Sequence, residues 1–166
     1  MAAPVPGMPP NFGVVEEGKI YRGAQPNRAD LEALQRIGVR TILELNTNDR
    51  NSERAETRRL GMRLIEVPLN ARTVGTWKSC AEVERAYEAM VDSANWPVYV
   101  HCEHGRDRTG FLIGLYRERN ESWDFGRVSD ELSEYGHDRR MRLLFPNISN
   151  ALANRYRVCA ASAFSS

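Results

Sequence analysis

The stretch that most limits what this chain can become runs from Pro97 to Tyr116. An apolar run, Pro97-Val98-Tyr99-Val100, has the length and composition of a buried strand, and Phe111-Leu112-Ile113-Gly114-Leu115-Tyr116 reads as one side of a helix. Between them lies His101-Cys102-Glu103-His104-Gly105-Arg106-Asp107-Arg108-Thr109-Gly110. A strand that turns sharply into a helix gathers the unpaired N–H groups of the loop and of the first helical turn around one point. The positive end of the helix dipole lies there too. Such a turn favours an anion, and phosphate is its natural occupant.

The side chains in this loop fit that reading. A thiol at a helix N-terminus beside a guanidinium loses its proton easily, so Cys102 is expected to be a thiolate and a nucleophile. Arg108 offers a planar fork of donors that matches two phosphoryl oxygens. Gly105 lets the loop turn its N–H groups inward, and Thr109 is placed to hydrogen-bond the sulfur. Glu103, His104 and Arg106 supply further backbone donors, and His101, just before the nucleophile, is expected to bond loop backbone.

Around the loop the chain alternates short strands with helices. Lys19–Arg22 and Thr41–Leu45 read as strands, and Met62–Val67 alternates like a half-buried one. Helical periodicity covers 29–37, the stretch up to Leu60, and 79–93, then about 124–135 and 147–159. That order predicts an α/β domain with a central, mostly parallel sheet of four to five strands and helices on both faces. In such sheets the ligand site lies beyond the carboxyl ends of the strands. The Asn46–Arg50 turn, the Leu69–Thr76 loop and Cys102 are therefore expected on one rim.

Residues 1–17, rich in proline at Pro4, Pro6, Pro9 and Pro10, read as an extended arm, and 18–166 as a single domain. A chain of 166 residues is one ordinary domain. Its 23 basic and 22 acidic side chains nearly cancel, which argues against a nucleic-acid partner, and no apolar run is long enough for stable membrane insertion. The three cysteines, Cys80, Cys102 and Cys159, are odd in number and widely spaced. That argues against a disulfide framework and for a reducing, cytoplasmic location, with Cys80 and Cys159 as plain helix cysteines.

Cys102 and Arg108, with five residues between them and with His101, Thr109 and Gly110 alongside, resemble the signature of the cysteine-dependent protein tyrosine and dual-specificity phosphatase superfamily. The chain is most similar to its small members, including bacterial enzymes like inositol-phosphate phosphatases. The phrase Ile20-Tyr21-Arg22-Gly23-Ala24-Gln25-Pro26 extends the resemblance weakly. The resemblance implies a compact dual-specificity-type fold and phosphomonoester hydrolysis through a phosphocysteine, with no cofactor and no metal. Cys102, Asp107, Arg108 and Thr109 would carry the chemistry. A basic collar of Arg72, Lys78, Arg106 and His104 would suit an inositol polyphosphate or a phosphoinositide-like polyanion. A phosphoprotein is the alternative substrate, and a phosphate-binding module without turnover is the alternative of another class.

Rival chemistries fit less well. A metal held by His101, Cys102 and His104 lacks further ligands at suitable spacing. Rhodanese-like sulfur transfer also uses a loop cysteine, but the Arg108-Thr109-Gly110 ending favours phosphoryl chemistry. Many members of the superfamily carry a leaving-group acid on a loop before the nucleophile strand, and Leu69–Lys78 holds no Asp or Glu. Asp107 is the expected substitute, at the position of an aspartate in the loop of myotubularin-like lipid phosphatases. Its bland alternative is an ion pair that orients Arg106 or Arg108, and Asp49, Glu134 and Asp138 are weaker candidates.

Overall fold

The computed structural model describes residues 2–46, 48 and 51–159. Five strands form one sheet: β1 (Gly13–Glu16), β2 (Ile20–Gly23), β3 (Thr41–Glu44), β4 (Arg63–Glu66) and β5 (Val98–His101). They lie in the order β1-β2-β5-β3-β4, and only β1 runs antiparallel, against β2. The expected mostly parallel sheet is what the chain forms.

The helices are α1 (Arg28–Arg36), α2 (Asn51–Arg59), α3 (Cys80–Val91), α4 (Asp107–Asn120), α5 (Phe125–Glu134), α6 (Arg139–Leu144) and α7 (Pro146–Ala153). Side chains alternate across a strand, and β5 shows how this divides the core. Val98 and Val100 enter one cluster with Leu43, Val83, Phe111 and Leu152, while Tyr99 joins Leu31, Leu34 and Ile42 on the opposite face. Because both faces are covered, β2, β3 and β5 are buried along their whole length, which is why the approach to Cys102 reads as an apolar run.

Four expectations need correction. The arm drawn over 1–17 overlaps the sheet, because Gly13–Glu16 is edge strand β1 and its neighbours Phe12 and Val15 are buried. The single helix expected over 147–159 is divided. Pro146 opens α7, which stops at Ala153, and Arg155 and Tyr156 break it from Cys159 with positive φ. Helix α6, capped by Asp138 through the N–H groups of Arg140 and Met141, is an additional helix before it. Cys80 and Cys159 are not plain helix cysteines: they form a disulfide with Cα atoms 5.7 Å apart, and Cys102 remains the free thiol. The argument from an odd cysteine count to a reducing compartment falls with them. Among the described residues no helix is long and apolar enough to cross a membrane.

Candidate active site

β5 ends at His101 and α4 begins at Asp107, so Cys102–Arg106 forms the turn at the carboxyl rim of the sheet. Gly105 takes φ of +64°, and a Cβ there would sit 2.3 Å from the backbone carbon of Gly23. Only glycine fits both the left-handed conformation and that close approach. Cys102 is 2% exposed. Burial by itself pushes its thiol pKa up, but the Arg108 guanidinium, the Thr109 hydroxyl and the N–H groups of Thr109 and Arg106 outweigh it and hold the thiol below its ordinary value. Arg108 reaches across the rim, with Nη1 donating to Leu69 O at 3.3 Å and, more weakly, to Leu45 O at 3.5 Å. The ends of β5, β3 and the segment after β4 thus meet at one guanidinium.

Behind the loop lies a second, buried layer. His101 is wholly buried, its Nε2 2.8 Å from Glu53 Oε1 and its Nδ1 3.2 Å from Cys102 O. A backbone carbonyl and a carboxylate are both acceptors, so the surroundings of the ring favour its doubly protonated form. Burial opposes that charge, but the hydrogen bond to Glu53 and its negative charge prevail and raise the pKa. Gln25 donates to Glu53 and accepts from Asn46, and its own N–H bonds Glu103 O, so the network reaches the loop backbone as well. From the other side Asn11 and Arg22 bond loop carbonyls. No role was expected for Asn11, Arg22 or Glu53. The one available signal was a cation inside an otherwise uncharged short strand, Ile20-Tyr21-Arg22-Gly23.

Asp107 occupies the first turn of α4, with His137 Nδ1 donating to its Oδ1 at 2.8 Å and Arg106 Nε donating to both oxygens at 3.2 and 3.1 Å. Burial pushes this carboxyl up, but the bonds from His137 and Arg106 hold it below the usual carboxylate range. A carboxyl in that state carries no proton at neutral pH. Asp107 is thus paired with both His137 and Arg106. Asp138 is committed to capping α6, Glu134 is exposed at the end of α5, and Asp49 lies outside the described residues.

The remaining expected binding residues are spread along the rim. Glu103 and His104 are exposed on the loop, and Arg72 and Lys78 are exposed on the segment that follows Leu69. Arg106 is half-buried and spends its Nε on Asp107. Helix α6 adds two cations that had not been considered. It is strung between His137, which touches Asp107, and Asn147, which donates to Ala71 O and Val74 O. Arg139 and Arg140 are exposed on this helix.

Among the described residues, the buried side-chain atoms left without a hydrogen bond belong to Asn11, Arg22, Glu44, Asn46 and Thr109. All five residues surround this rim. Buried polar groups are ordinarily satisfied, and their exceptions gather where a fold gives up stability for a task. A groove of about 540 Å³ lined by Gln35, Arg40, Thr41, Met62 and Arg63 opens at the opposite end of the strands and has none of this chemistry.

Over residues 7–150 the chain matches the model of the tyrosine phosphatase family. OCA1 of Mycosarcoma maydis, provisionally named a tyrosine-protein phosphatase, is 26% identical over 146 residues, which cover 82% of this chain and 86% of that protein. Inositol diphosphatase DSP3 of Arabidopsis thaliana is 30% identical over 125 residues, covering 74% of this chain and 61% of the relative. Among solved structures, the core catalytic domain of the PP-IP phosphatase SIW14 from S. cerevisiae has a TM-score of 0.74 at 22% identity, with 95% of this chain and 96% of that one covered. That last likeness shows the fold.

Proposed function

We infer the reaction from the premise that this chain belongs to the tyrosine phosphatase family and is a cysteine-dependent phosphatase. We propose that it hydrolyses phosphomonoesters in two steps. The Cys102 sulfur forms a bond to phosphorus as the bond from phosphorus to the leaving oxygen breaks, and that oxygen takes up a proton. A water oxygen then attacks the phosphorus, the S–P bond breaks, and inorganic phosphate leaves with the thiolate restored. Arg108 and the loop N–H groups hold the equatorial oxygens through both steps. The observation that carries this reading is a lone buried thiol, held below its ordinary pKa by Arg108 at the N-terminus of a 14-residue helix.

The substrate class favoured is a small polyanion of the inositol phosphate kind. Arg72 and Lys78 are exposed on the segment that follows Leu69, Arg139 and Arg140 are exposed on α6, and both DSP3 and SIW14 are named for inositol phosphate chemistry. A phosphotyrosine or dual-specificity activity is the second reading, favoured by the name of OCA1. The disulfide points to an oxidising compartment rather than the cytoplasm.

Phosphate release measured in parallel from inositol hexakisphosphate and from phosphotyrosyl and phosphoseryl peptides separates the substrate readings. Faster turnover of the peptides would overturn the first. Turnover of an aryl phosphate should persist in EDTA and stop with vanadate, and no turnover between pH 4 and 8 would sink the enzyme reading. The role of Asp107 is separated by leaving group. A proton donor is worth about 10²–10⁴-fold for an alkoxide and little for a phenolate that departs unaided. With Asp107 as an orienting residue, Asp107→Asn slows both substrates by a similar factor; a loss confined to the alkyl phosphate supports the donor role.

A further inference from the structure

The loop functions only if its N–H groups face the anion, and a planar trans peptide turns an N–H inward by turning its carbonyl outward. Outward carbonyls in a buried loop then need donors of their own. Asn11 Nδ2 lies 3.2 Å from His104 O, 3.2 Å from Gly105 O and 2.9 Å from Tyr135 O, and Arg22 Nη2 donates to Gly105 O at 3.1 Å. The peptide joining Gly105 to Arg106 is thereby gripped by its carbonyl from behind. Its N–H, that of Arg106, is one of the two backbone groups that favour the Cys102 thiolate.

Arg22 is an unusual group in that place. It is 1% exposed, its guanidinium stacks 3.6 Å from the centre of the Tyr135 ring, and its Nε has no hydrogen bond. Its described contacts, a carbonyl and an aromatic face, carry no formal negative charge. It also lies against the first turn of α4, where a Cβ built on Gly110 would be 3.7 Å from Nη2, so the helix dipole opposes a cation there. A guanidinium buried on those terms is costly unless an anion is close. The negative charges that act on it are Glu131 first and the Cys102 thiolate after it, with Arg117 opposing, and the phosphate the site receives would add to them.

We propose that Arg22, assisted by Asn11, is a positioning residue: it grips the Gly105 carbonyl so that the Arg106 N–H faces the sulfur, and it places a second, buried positive charge behind the thiolate. Its effect on turnover rests on the phosphatase reading, and its effect on the thiol does not.

The test uses the full chain with its disulfide intact and the variants Arg22→Met, Arg22→Lys and Asn11→Gly. The last removes the amide while keeping the backbone freedom that φ of +58° requires. Two quantities are read: the pH midpoint for alkylation of Cys102 by iodoacetamide, and kcat/KM for an aryl phosphate. Arg22→Met is expected to raise the midpoint by about one pH unit and to lower kcat/KM roughly 10²-fold, the size of losing one aligned donor. Asn11→Gly moves both the same way by less. Arg22→Lys recovers most of the midpoint but less of the rate, since an ammonium restores charge without the fork. A midpoint unmoved in folded Arg22→Met overturns the proposal; should that variant not fold, an unmoved midpoint in Asn11→Gly does so. Wild-type protein with a depressed midpoint and no ester hydrolysis would sink the enzyme reading and leave this proposal standing.

Discussion

On its rim side the loop from Cys102 to Arg108 carries a thiol held low in pKa and one guanidinium that leans on the strand ends. On its hidden side it is gripped by Asn11, Arg22 and His101, with Glu53 behind them, none more than 5% exposed. The first layer leans on the strand ends through Arg108, while the second spends its donors on loop carbonyls. The difference separates two jobs, since groups that touch phosphate set the rate and groups that touch carbonyls set whether the cup has its shape. Substitutions in the two layers should therefore fail in different ways.

The largest effect belongs to the front. Cys102→Ser should lower turnover by roughly 10⁴-fold or more, yet leave the affinity for a non-covalent phosphate analogue such as sulfate within about tenfold, because the cradle is backbone and Arg108. A matching collapse of affinity would mean that front and back are not separable. Arg108→Lys comes next, with kcat/KM down about 10²–10³-fold and a melting temperature close to wild type. Near-normal activity in that variant would remove the clamp role.

Glu53→Gln tests the back, and its signature should be stability rather than chemistry. Glu53 raises the folded pKa of His101, so the pair's contribution is complete below the unfolded imidazole value of about 6.5 and disappears as pH rises through the folded value. Urea unfolding at pH 6 and pH 9 should show a deficit of roughly 2 kcal/mol that narrows at the higher pH. A deficit independent of pH would mean the ring is neutral. The smallest effect is a gain. Glu44, at the end of β3, is 3% exposed, its carboxyl oxygens lack hydrogen bonds, and burial together with the charge of Glu53 pushes its pKa up to about 7. Ionisation in the unfolded chain costs the native state stability as pH rises from the ordinary carboxyl value through about 7. Glu44→Gln should therefore be more stable than wild type at pH 8, by about 1 kcal/mol, with little difference at pH 4.

The two layers also differ in how well the sequence announces them. Everything on the front is contiguous: a strand, a nucleophile, a glycine, an arginine and a helix at fixed spacing, each with a local physical reason. The back is assembled from partners as far apart as Asn11 and Tyr135, and no short-range rule places an asparagine side chain on a carbonyl 124 positions away. The strands β2, β3 and β5 were legible because burial on both faces fills them mainly with large apolar residues, even though Arg22, Glu44 and His101 lie among them. The four-residue edge strand β1 and the six-residue helix α6 were not, since their lengths leave no period to read. The cysteine count misled for a definite reason. Three thiols are one pair plus one nucleophile, so an odd number carries no message about pairing once one cysteine has its own work.

That pairing has a consequence for anyone who handles the protein. The Cys80–Cys159 bond closes a covalent ring that contains Cys102, Arg108 and the whole of α4 to α7. A backbone cut anywhere inside the ring leaves two fragments that still migrate as one until they are reduced. A reductant added to protect the nucleophile thus acts on the scaffold as well, and rates recorded with and without it belong to two different covalent molecules.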